Sequence, residues 1–76
     1  MGAKRSPANQ AVGRTLRSVR AQSGYSQEAF ARHCGIDRAN YGAIERGEFN
    51  VTLDTIVKLA AGLGITVAEL LHRAKL

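Results

Sequence analysis

The chain has 76 residues, 45% of them hydrophobic and only four aromatic, and a formal net charge of +5. That composition describes one domain with a small core filled mainly by Ala, Val, Leu and Ile. No apolar run approaches the ~20 residues that cross a bilayer, and the basic start Met1–Pro7 lacks the apolar stretch of a signal peptide. The single Cys34 excludes an internal disulfide and fits a reducing cytoplasm.

The charge is one-sided. Residues 1–38 carry seven Lys/Arg against Glu28 and Asp37, whereas residues 39–76 carry four of each sign. A basic half points to a polyanion, nucleic acid before a membrane surface, with simple solubility as the alternative.

Helix signals recur along the chain, and no alternation of strand type has useful length. Residues 1–8 resist packing and are expected to form a mobile basic arm ahead of a domain over 9–76. Ser6-Pro7 reads as an N-cap followed by proline at the first helical position, and Val12, Leu16 and Val19 mark one face of that helix. Gly24 stops it. Ser26 caps a second helix over Gln27 to Cys34, with Glu28 in its first turn, and Gly35 ends it. Asp37 caps a third helix to about Arg46, closed by Gly47. Thr52 opens a fourth, whose Leu53, Ile56, Leu59, Ala60 and Leu63 predict an apolar stripe ending at Gly64. Thr66 to Glu69 fits a capping box before a short fifth helix with Leu70 and Leu71. The class is all-α, with five helices and brief turns.

The stretch from Ser26 to Gly47 carries the information. Two short helices meeting through a tight turn need a small residue where they approach and a residue free to turn left-handed. Ala31 and Gly35 supply these. Phe30, Cys34 and Ile36 are apolar before and in the turn, and Tyr41 and Ile44 anchor the third helix on the same core. Arg38, Ala39, Asn40 and Ala43 are left facing out. Gly42, inside that helix, costs about 1 kcal/mol relative to Ala and leaves room for a close backbone approach.

At these residues the chain resembles the Cro/repressor (XRE-type) helix-turn-helix family. Further matches are Arg17-x-x-Arg20, Gly24-Tyr25-Ser26-Gln27-Glu28, Ile44-Glu45-Arg46-Gly47 and Leu59-Ala60-x-x-Leu63-Gly64-Ile65, and small stand-alone restriction–modification controllers are the nearest comparison. The resemblance implies a compact lambda-repressor-like fold that reads double-stranded operator DNA with its third helix in the major groove. Arg38 then pairs with guanine or else contacts phosphate, Asn40 pairs with adenine or reaches a phosphate, and Ala39 and Ala43 meet thymine methyl groups or permit close approach. Gln27, Arg46 and Asn50 are expected on the phosphate backbone. Tyr41 stands where the family more often has Ile or Val, and its hydroxyl is expected to emerge toward a phosphate. Arg20 and Glu45 match a family ion pair that braces the reading helix.

With no further domain in the sequence, dimerisation is expected through the fifth helix, some of Ile65, Val67, Leu70 and Leu71 meeting their copies across a two-fold axis to give a homodimer on a palindromic operator; the alternative is that all four finish the monomer core. RNA polymerase is a further expected partner, and a toxin is the partner if the chain is instead an antitoxin that represses its own gene. The place of action is expected to be the cytoplasm, at a bacterial or phage nucleoid. No cofactor or metal is expected: His33 and Cys34 point to different sides of one helix, and His72 completes no ligand spacing. The same geometry removes Cys34 as a nucleophile, so no enzyme is expected.

Overall fold

A computed structural model describes residues 6–76. Five helices follow one another: α1 (Pro7–Gln22), α2 (Gln27–Cys34), α3 (Arg38–Glu45), α4 (Leu53–Leu63) and α5 (Val67–Arg73). Each begins on a side chain that accepts a first-turn N–H. Ser6 accepts from Asn9, Ser26 from Ala29, Asp37 from Ala39 and Asn40, Thr52 from Thr55, and Thr66 from Glu69. These local bonds satisfy donors the helix leaves orphaned, which is why the helix starts follow the sequence so closely.

Ser6 caps α1 and Pro7 takes its first helical position, where the sequence reads them, and residue 8 follows in the first turn. The remainder of the expected basic arm, residues 1–5 with Lys4 and Arg5, lies outside the described residues. At α5 only half of the capping box forms: the Glu69 carboxylate turns down the helix to Arg73, at 2.7 Å, instead of back to the cap.

The core is built from Leu16 of α1, Phe30 and Ala31 of α2, Tyr41 and Ile44 of α3, Leu59 and Ala60 of α4, and Leu70 of α5, all essentially without solvent exposure. Close approach of backbones makes this core possible. A Cβ on Gly13 would lie 2.5 Å from the Glu45 carbonyl oxygen and 2.6 Å from that of Ile44, so α1 crosses α3 where only glycine fits. Gly62 likewise lets α4 sit on Cys34 and Phe30 of α2.

The predicted stripe of α4 holds at Ile56, Leu59 and Ala60 but fails at Leu53, which is 71% exposed. Leu53 is the first residue of its helix, one turn short of the buried Ile56. α5 turns away from α4 by 90° and returns to α1. No single described helix is long and apolar enough to cross a membrane.

Candidate nucleic-acid interface

The geometry of the site follows from the turn between α2 and α3. Gly35 takes φ 71° and ψ 33°, a left-handed conformation that a side chain would strain. Its N–H donates to Arg32 O and that of Ile36 to Ala31 O, closing α2 and redirecting the chain. Phe30 then meets Tyr41 edge-on, with ring centroids 5.4 Å apart, and fixes α3 against α2.

Beneath α3 lies a buried carboxylate. Glu45 accepts from Arg20 Nε at 2.5 Å and Nη2 at 3.2 Å, from Gln27 Nε2 at 2.8 Å, and from the Tyr41 hydroxyl. Arg20 Nη1 donates to the Tyr25 carbonyl at 2.7 Å. One carboxylate therefore ties α1, α2 and α3 together, with four donors on two oxygens. Burial pushes the Glu45 carboxyl up, but hydrogen bonds from Arg20, Tyr41 and Gln27 outweigh it and hold the group below the usual carboxylate range. Burial, then the bond to Glu45, pushes the Tyr41 hydroxyl far above its ordinary value. The Arg20 guanidinium is raised by its bond to Glu45. Arg20, Glu45, Tyr41 and Gln27 are thus charged or neutral in fixed roles at neutral pH.

The opposite face of α3 is open. Arg38, Ala39 and Asn40 are exposed and Ala43 is half-buried. Asp37, the nearest acid, spends its carboxylate on the cap of α3, and Arg38 has no ion-pair partner among the described residues. Arg46 is exposed and pairs with Glu48 at 3.1 Å. Its guanidinium also lies over Gly42, where a Cβ would come within 3.2 Å of Nη1, so a side chain rather than open space covers that glycine. Asn50, in the loop after α3, is exposed and accepts from Asn9 of α1. A cleft beside α3, lined by Asn40, Phe49, Thr52 and Lys58 among others, places the half-exposed ring of Phe49 next to the open face.

Several expected roles do not survive these positions. Tyr41 is 0% exposed and its hydroxyl is engaged with Glu45, so it cannot reach a phosphate. Leu70 is also 0% exposed, a core residue with no surface to offer the expected interface. Ile65, Val67 and Leu71 are half-buried, packed against the edge of that core. Gln27 turns its amide nitrogen inward to Glu45, a contact that sequence reasoning missed. The link between Tyr41 and Glu45 had a legible signal, their i, i+4 spacing on one helix. Among the described residues no group of three or more His, Cys, Asp or Glu side chains could hold a metal ion.

Comparison with known proteins agrees with this geometry. The helix-turn-helix family model matches residues 16–70. A hypothetical transcription factor from Neisseria meningitidis is 45% identical over 56 residues, covering 74% of this chain and 53% of the relative, so the chain spans about half of that protein. The control protein C.MunI from a Mycoplasma species is 44% identical over 59 residues, covering 76% of this chain and 80% of the relative. The crystal structure of the restriction–modification controller protein C.AhdI from Aeromonas hydrophila superposes with a TM-score of 0.79 at 44% identity, over 82% of this chain and 94% of that one. These relatives are named as regulators and not as enzymes. With its turn, its buried Arg20–Glu45 brace and its matched span in agreement, the chain belongs to the XRE-type helix-turn-helix family.

Proposed function

We propose that the protein is a DNA-binding transcriptional regulator of the controller type, reading an operator in the major groove with α3 and acting in the cytoplasm at the nucleoid. The observation that carries this reading is the contrast across α3: a fully bonded carboxylate beneath it, and above it an exposed Arg38, without an ion-pair partner among the described residues, among small side chains. Arg38 offers a planar fork for guanine O6 and N7, Asn40 an amide suited to adenine, and Ala39 and Ala43 allow the helix backbone close to the groove floor. Arg46, Asn50 and the N-terminus of α2 at Gln27 flank that helix and supply backbone contacts.

Dimerisation is part of the proposal. Ile65, Val67 and Leu71 are only half-buried in the protomer, and Leu53 and Val57 add apolar surface on α4 that is 71% and 50% exposed. A symmetric pair covering this surface would set two α3 helices about one helical turn of DNA apart and match a palindromic operator. RNA polymerase is the protein such a regulator would meet at a promoter. The antitoxin alternative gains no support from relatives named as control proteins and regulators.

Selection of an operator from random-sequence duplexes tests the reading. A defined consensus is expected, and Arg38→Ala should lose discrimination at one or two positions at a cost of about 1–3 kcal/mol without lowering thermal stability. A selection without consensus, or equal discrimination by the variant, would refute the groove assignment. Sedimentation with and without that operator tests the dimer.

A further inference from the structure

We infer that the DNA-facing surface extends to the first turn of α1, where Asn9 is a positioning residue that aims the amide of Asn50 at the phosphate backbone; this rests on the DNA-binding reading above. Asn9 Nδ2 donates to Asn50 Oδ1 at 2.7 Å across 41 residues of sequence. The adjoining residue makes a second joint. Gly47, at φ 73°, sits so close to Gln10 that a Cβ would lie 2.8 Å from its Cα. Two consecutive residues of α1 thus hold both ends of the 47–50 loop, which follows α3 directly.

The chemistry of a carboxamide gives the joint its use. The terminal torsion of Asn is broad and roughly two-fold, so its oxygen and nitrogen exchange places easily. Presented oxygen-first, the group repels a phosphate; presented nitrogen-first, it donates to one. By occupying the Asn50 oxygen, Asn9 leaves the Asn50 nitrogen, which has no partner among the described residues, facing outward.

Binding of the wild-type-selected duplex and of a mixed-sequence duplex, followed by fluorescence anisotropy, tests this in a double-mutant cycle. Asn50→Ala should weaken both duplexes about tenfold or more, the worth of one hydrogen bond to a charged phosphate, and Asn9→Ala should weaken both by no more than that. In the Asn50→Ala background, Asn9→Ala should weaken binding no further. Asn9→Asp, which can only accept at this position, should turn the Asn50 oxygen outward and lose more than Asn9→Ala, and part of that extra loss should vanish in the Asn50→Ala background. The melting temperature should stay put, because the bond is exposed. The salt dependence of binding should keep its slope, because a neutral amide displaces no counterion. Losses that multiply, wild-type binding by Asn9→Ala or Asn50→Ala, or a shallower salt slope would overturn the inference while leaving the DNA reading intact. A wild-type protein that binds no duplex would overturn both.

Discussion

Two Arg–Glu pairs of nearly equal length occupy opposite kinds of place. Arg20–Glu45, at 2.5 Å, joins α1 to α3 with side chains only 11% and 2% exposed. Arg73–Glu69, at 2.7 Å, lies along α5 with side chains 44% and 43% exposed. Distance alone would rank them together, but solvent separates them. In water the second pair gains little over two solvated ions. In the first, Glu45 has lost its water and Arg20 most of its own, so each depends on the other. The extra donors from Gln27 and Tyr41 allow Glu45 to stay ionised there, and they spread its hold over three helices.

Breaking the buried pair should have the largest effect. Glu45→Ala leaves the Arg20 guanidinium and the Tyr41 hydroxyl without their acceptor, and the expected loss is about 3–5 kcal/mol. In a domain of this size that lowers the melting temperature by more than about 10 °C, readable by circular dichroism. A loss below about 1 kcal/mol would mean that water already reaches the site.

Removing one donor separates the hydrogen bonds from the ion pair. Tyr41→Phe conserves volume and leaves the three nitrogen donors in place, so the expected cost is about 1.5 kcal/mol, the low end for a bond to a charged group. Acid tests the same carboxylate by another route. Glu45 is held below the usual range in the folded chain, so its stabilisation is fully present above the unfolded value of about 4.3 and is lost as pH falls through the folded value. Glu45→Gln should therefore be less stable than the wild type at pH 7, and the gap should narrow below about pH 4 in urea titrations. A gap that stays constant with pH would show that Glu45 is not held low.

What the sequence made legible divides along the same line between local and long-range chemistry. The five helix starts could be read because Ser6, Ser26, Asp37, Thr52 and Thr66 act on N–H groups two or three residues away. The turn could be read because Gly35 must adopt its conformation whatever surrounds it. Pairing of Arg20 with Glu45 came from family resemblance, not from any spacing rule. Gly13 carried no local signal, since the Glu45 and Ile44 carbonyls it admits lie some 30 residues away in sequence. Tyr41 was misread for the opposite reason: its apolar ring and polar hydroxyl allow either a surface or a core position, and only the buried Glu45 decides between them. Leu53 fits the periodicity of α4 and still lies in solvent, because periodicity assigns a face without saying how far the neighbouring helices reach.

The smallest expected effect completes the contrast. Glu69→Gln removes the charge of the exposed pair while keeping shape and most hydrogen-bonding capacity, and Arg73 returns to solvent. The cost expected for an i, i+4 surface pair is about 0.3–0.5 kcal/mol, shrinking further in molar salt as screening sets in. Glu69 also stands in the first turn of α5, where its charge meets the positive end of the helix dipole, so part of even this small loss belongs to the dipole and not to Arg73. Arg73→Gln removes the same pair but leaves the first-turn charge, taking away instead a basic side chain of the last turn. If Glu69→Gln costs clearly more than Arg73→Gln, the first-turn charge is worth more to the helix dipole than the last-turn one. If either variant approached the loss seen for Glu45→Ala, the distinction drawn from burial would be wrong.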